Sequence, residues 1–159
     1  DDAQLREALR VAATIADHGE LRPWRVIAIR GDARRRVGDA LAEASGLEGH
    51  AADKLAAKPL RAPLLLAVVV SPKPSIKVPE WEQEAVASGI AHALSLLLDE
   101  QGWGVMWRTG IHTRTAPVHR AHGLAEGEKL LGWLYVGGRE REKSAPRRPA
   151  KIDDHLTSL

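Results

Sequence analysis

Five short stretches carry side chains that could do chemistry: Asp17-His18, Arg22-Pro23-Trp24, Trp81-Glu82-Gln83-Glu84, Trp107-Arg108-Thr109-Gly110 and Arg147-Arg148. A guanidinium presents a fork of donors suited to phosphate or carboxylate, so Arg108, Arg147 and Arg148 are candidate anion ligands. Read from residues alone, His18 is a helix-terminal residue that satisfies free carbonyls. On the same basis Trp24, Trp107 and Trp133 are core or interface aromatics, and tail arginines sit in solvent. His112, His119 and His122 have a spacing that could hold a metal. No carboxylate lies close in sequence to complete the ligand set, so none is assigned. Function is preferred over packing at Arg108 and the Thr109-Gly110 turn. The chain has no GxGxxG after a strand, no phosphate loop, no GxSxG and no HExxH.

The elements that must position these groups follow from pattern. The organising stretch runs from Pro79 to Gly110. Trp81, Val86, Ile90, Ala93, Leu94, Leu97 and Leu98 recur at helical spacing and form an apolar face. Pro79 belongs to the first turn, where a missing N–H costs nothing. Glu80, Glu82 and Glu84 suit the positive end of the helix dipole. Ala87, Ser88, Gly89 and Ala91 make a small-residue patch where another backbone could come close. Gly102 and Gly104 stop the helix, and Val105-Met106-Trp107 is a short strand. Upstream, Asp1 or Asp2 caps a helix expected to reach Asp17-His18-Gly19. Trp24 to Arg30 alternates like a strand, Asp32 caps a helix ending at Gly46, and a further helix covers Gly49 to Lys58. Leu64 to Val70 is apolar on both faces, which marks a central strand. Thr113 or Thr115 starts a short helix to His122, Leu130 to Val136 is the last strand, and Arg139 to Pro149 has no regular pattern. Strands separated by helices indicate an α+β or α/β sandwich with antiparallel pairing possible.

Length and composition set limits. The 159 residues suit one domain with a real core, here 1–159 with 139–159 as an extended tail. With 23 basic and 21 acidic side chains the net charge is +2, too balanced to argue for nucleic acid or an anionic membrane. No Cys is present, which removes disulfides, thiolate catalysis and cysteine-bound metal. The opening residues show no basic start and no apolar signal core, and the apolar runs are too short to span a bilayer, so a cytoplasmic location is expected.

At these motifs the chain resembles the nitroreductase family of FMN-dependent oxidoreductases, most of all its minimal members. Four ordered segments carry the resemblance: Ala16-Asp17-His18 with Arg22-Pro23-Trp24; Arg61-Ala62-Pro63 before the apolar strand; Val78-Pro79-Glu80-Trp81-Glu82-Gln83-Glu84; and Gly104 to Gly110. The strand from Lys129 to Gly137 also fits, so the likeness covers about Leu5 to Gly138. It implies an α+β fold with a four- or five-stranded, mostly antiparallel sheet flanked by helices, in an entwined homodimer that binds FMN between subunits. It implies an NAD(P)H oxidoreductase passing hydride through flavin N5 to nitroaromatic, quinone or similar acceptors. By position, Thr14, His18, Trp107, Arg108, Thr109, Arg147 and Arg148 would contact FMN. Leu97, Leu98, Asp99, Glu100, Gln101 and Gly102 would meet the nicotinamide nucleotide. One departure stands out. The Arg-Arg-Ser-x-Arg-like segment with which family members clamp the flavin phosphate is absent, and Thr14 stands where near relatives place Arg. The alternative expectation is therefore a flavin-fold homodimer that has lost catalysis and acts as a binding or sensor module, or a plain dimerisation domain.

Overall fold

A computed structural model describes residues 1–139 and 149–158. Arg147 and Arg148 lie outside the described residues. Four strands form one antiparallel sheet in the order β1-β2-β4-β3. They are β1 (Trp24–Arg30), β2 (Leu64–Val70), β3 (Trp103–Arg108) and β4 (Lys129–Gly138). The helices are α1 (Asp2–Ala12), α2 (Ala33–Ser45), α3 (Gly49–Ala56), α4 (Glu80–Glu100) and α5 (Ala116–Ala121).

The sheet has a core on each face, as expected for strands whose successive side chains alternate. Leu65, Ala67, Val69, Trp133 and Tyr135 pack against Val37, Leu41, Leu55 and Val118 from α2, α3 and α5. On the other face Leu66, Val68, Leu134 and Val136 meet Leu5, Ala8 and Ala12 of α1 and Ala91, Leu94 and Leu98 of α4. From Leu65 onward β2 has no exposed residue, the outcome its two-sided apolar run demands.

Because every pairing is antiparallel, Trp24, Val70, Lys129 and Arg108 share one end of the sheet, here the Arg108 end. α1 starts at the opposite end, where Arg30 pairs with Asp2 at 2.9 Å.

Several expectations need correction. α1 stops at Ala12, not near Gly19. Thr14 donates its hydroxyl to the Val11 carbonyl at 2.8 Å. Such a local side-chain bond competes with continued helix. Pro79 is the N-cap of α4 and not a first-turn residue. Trp81, placed by spacing on the buried face, is 69% exposed. The buried face is Gln83, Ala87, Ile90, Ala91, Leu94 and Leu98. So the small residues Ala87 and Ala91 pack inward on their own sheet, and a Cβ on Gly89 would strike Ile15 at 2.7 Å. The outward stripe of α4 is Trp81, Ala85, His92 and Leu96.

Candidate functional site

The chain approaches the Arg108 end through a strained loop. Gly19, Glu20 and Arg22 have φ of 73°, 52° and 48°, and the last two are not glycine. Left-handed backbone at such residues costs about 1–2 kcal/mol each and calls for compensation. Asp17 supplies part of it by accepting from the Arg22 N–H at 2.7 Å. His18 sits in a 3-10 turn, His18–Glu20, and its Nδ1 lies 2.9 Å from Glu82 Oε2 on the first turn of α4. The helix-terminal role read from the sequence is thus replaced by a contact between distant parts of the chain. An open cavity of about 450 Å³ adjoins it, lined by His18, Leu21, Pro74, Ile76, Lys77 and Val78, with no carboxylate among its lining residues.

Glu80 and Glu84 likewise do more than favour the helix start. Lys129 at the beginning of β4 bonds both carboxylates, reaching Glu84 at 2.6 Å. Behind them Gln83, only 3% exposed, accepts from Lys73 N at 2.8 Å and donates to the Lys73 carbonyl at 3.0 Å. The first turn of α4 therefore ties down the loop after β2, the His18 loop and β4 together. The local sequence carries no hint of this, because Gln83 stands between Glu82 and Glu84.

A second network fixes the same end. Arg25 grips Glu128 with Nε and Nη2, both at 2.7 Å, and the Ala125 N–H donates to the same carboxylate at 2.9 Å. Ser71 donates to it as well. These donors, Arg25 first among them, lower the Glu128 pKa to about 2.

The turn after β3 is shaped by a glycine on β4. A Cβ at Gly132 would lie 2.4 Å from the Arg108 carbonyl and 2.9 Å from Trp107 Nε1. Bare backbone there lets β3 close on β4 and sets the Trp107 indole. Strand alternation then separates the two candidates. Trp107 turns toward α4, its ring 4.9 Å from that of His92 and inclined at 71°. Arg108 turns to the other face, its guanidinium 5.7 Å from the Tyr135 ring centroid. A cavity of about 300 Å³ opens beside Trp107, Arg108, Thr109, Gly110, His112 and Tyr135. That volume is within the usual range of ligand sites.

Trp107 Nε1 is buried and has no acceptor among the described residues. An unpaired buried donor costs about 1–3 kcal/mol, so an acceptor supplied by a ligand would be favoured there. Trp133, by contrast, is satisfied: its Nε1 donates to His122 Nε2 at 2.8 Å, and His122 Nδ1 lies 2.7 Å from the Val118 carbonyl. That fixes the tautomer, and burial pushes the His122 pKa down. His119 turns its Nε2 to the Thr113 carbonyl at 3.1 Å.

The structure brings His18, the 107–110 turn and, just past α1, Thr14 to one end of the sheet. It leaves residues 97–102 at the other. Along a helix rising ~1.5 Å per residue, Glu82 and Asp99 are about 25 Å apart. Asp99 there pairs with Arg139.

The sequence profile of the nitroreductase family matches residues 1–138. Among curated proteins, YdjA of Escherichia coli (strain K12), provisionally named an NAD(P)H nitroreductase, is 36% identical over 137 residues, covering 84% of this chain and 75% of its own. Among solved structures, a nitroreductase-like family protein from Bacillus cereus superposes with a TM-score of 0.83 at 20% identity, covering 100% of this chain and 85% of its own. NfnB from sphigopyxis sp. strain HMH, described as an FMN and NADPH-dependent nitroreductase, gives 0.78 at 18% identity, over 100% of this chain and 90% of its own.

Proposed function

The chain belongs to the nitroreductase family, and we propose on that premise that it is an FMN-dependent NAD(P)H oxidoreductase that works as a homodimer. The observation that carries this reading is the orphaned Trp107 indole N–H beside a glycine-shaped turn, at the same end of the sheet as the strained His18 loop. The donor set fits the ring and ribityl part of a flavin: a buried N–H without an acceptor, the Thr109-Gly110 backbone, and the His18 ring. Bound FMN would supply hydride transfer from NAD(P)H to a nitro group, quinone or similar acceptor.

The protein's own contribution is positioning and charge. Trp107 offers a dry donor that loses nothing when it meets an acceptor. Arg108 would add a positive charge near the turn from the opposite face, where any negative charge gathering on the ligand is stabilised. Glu82 orients His18 through Nδ1, which leaves Nε2 free to face a ligand. The Thr14 hydroxyl is spent on Val11, so it makes a poor phosphate ligand. Arg147 and Arg148 are better suited to that oxyanion.

Two-fold symmetry reconciles the divided site. An isologous dimer that pairs the outward stripes of α4 about a two-fold axis perpendicular to them runs the two helices antiparallel. Residues 97–102 of one protomer then come to the His18 end of its partner, and each site is built from both chains. The stripe supports this, because Trp81 and Leu96 are 69% and 70% exposed. Large apolar side chains left open along one helix face mark a surface that a partner covers.

Titration of the purified protein with FMN, followed by flavin fluorescence, tests the reading. Saturable binding with NAD(P)H oxidation is expected. Trp107→Phe, which keeps a ring and removes the donor, and Arg108→Ala should each weaken FMN binding by roughly 5- to 10-fold. A dimer that refuses FMN would instead be the binding module that has lost catalysis.

A further inference from the structure

The face of the sheet opposite α4 holds a second groove, of about 350 Å³, between the corner at Arg61 and Ala62 and the strands β3 and β4. Gly104 and Gly137 are partners across the two strands, and the Pro63 ring packs over Gly137, where a Cβ would lie 3.2 Å from Pro63 Cδ. Tyr135 and Met106, the next pair on the same face, form one wall, and Arg61 and Arg108 flank the opening.

The charges here are one-sided. No carboxylate lines the groove, and neither Arg61 nor Arg108 makes an ion pair among the described residues. Tyr135 points independently to a ligand. It is only 9% exposed, it lines the groove, and its hydroxyl has no protein partner among the described residues. Burial pushes the phenol pKa up, while the charges of Arg108 and Arg61 pull against it, and the Arg108 guanidinium lies 5.7 Å from the Tyr135 ring centroid.

We propose that this groove is a binding site for a small organic anion, with its carboxylate or phosphate held by Arg61 and Arg108 and with Tyr135 donating its hydroxyl. Two guanidinium groups and a phenol match an oxyanion with several lone pairs. The groove shares Arg108 and Tyr135 with the cavity beside the 107–110 turn, and Arg61 lines the groove alone.

Two probes separate the sources of such an anion: 4-nitrobenzoate, an aromatic acid, and adenosine 2′,5′-bisphosphate, a nucleotide phosphate. Isothermal titration of the full chain, with and without saturating FMN, should show saturable binding of at least one probe, and which probe binds names the class. Arg61→Gln should weaken it about 10-fold while FMN affinity stays unchanged, and Tyr135→Phe should weaken it about 3- to 5-fold. Tyr135→Phe removes only an oxygen, so it tests the site even if Arg61→Gln proves unstable. The proposal is overturned if neither probe binds, if both variants bind as tightly as the parent, or if FMN displaces the probe. The last result would make the groove part of the flavin site. Failure of FMN binding with probe binding intact would instead overturn the oxidoreductase reading alone.

Discussion

At the residue scale, one carboxylate decides how the Arg108 end responds to acid. Glu128 takes four donors, and its folded pKa falls from 4.5 to about 2. A lowered carboxylate pKa contributes stability that is complete above the unfolded value and is lost as pH falls through the folded one. Unfolding free energy measured in urea should therefore hold steady above about pH 5 and drop between about pH 4.5 and about pH 2. The Glu128 share of that drop is roughly 2–3 kcal/mol. Glu128→Gln should remove most of this slope and cost a similar amount at neutral pH, because it leaves Arg25 facing a neutral amide. If the variant keeps the parent's acid profile, the network does not anchor this end. The pair has no sequence signal. Arg25 and Glu128 stand 103 positions apart, and no local pattern joins them.

At the element scale, the strand and turn that shape the site hinge on Gly132. Replacing it with Ala puts a methyl 2.4 Å from the Arg108 carbonyl, against backbone that cannot swing aside. It also installs a side chain at a φ of 144°. Gly132→Ala should cost about 2 kcal/mol or more in urea unfolding and weaken FMN binding more than Arg108→Ala does, since it moves the whole turn. Unchanged FMN affinity in a folded Gly132→Ala protein would remove the turn from the site.

The elements themselves are largely legible in the sequence. β1 and β2 match their expected limits because β-branched and apolar residues fill most positions between proline or glycine breaks. α2 ends at a left-handed Gly46, as its sequence suggests. The expected α1 runs too far because Ala13 and Ala16 are good helix residues, and only the Thr14 hydroxyl bond signals the earlier stop. α4 is where the pattern puts it, but with a different face inward. Spacing shows that a stripe exists and cannot say which side meets the sheet when apolar residues surround the helix. Pairings from His18 to Glu82 and from Lys129 to Glu84 span 64 and 45 positions and have no signature in a single sequence.

At the scale of the whole molecule, the question is what covers the outward stripe of α4. Trp81, Ala85, His92 and Leu96 run along most of its length, and no helix among the described residues is long and apolar enough to cross a membrane. If two copies meet there, Leu96→Glu places two charges in the interface without disturbing the core of either chain. Light scattering should show a dimer for the parent and a monomer for the variant, and FMN binding should fall in step. A variant that stays dimeric would place the interface elsewhere, and one that binds FMN as a monomer would show that one chain suffices.

The left-handed backbone at Glu20 and Arg22 sets heat resistance against aim. Glycine at either position would relieve the conformation and raise the melting temperature by a few degrees, on the order of 1 kcal/mol. The same freedom would let the imidazole of His18 wander from its carboxylate. Substitution for heat resistance alone would thus loosen the segment from which the proposed flavin site draws its imidazole.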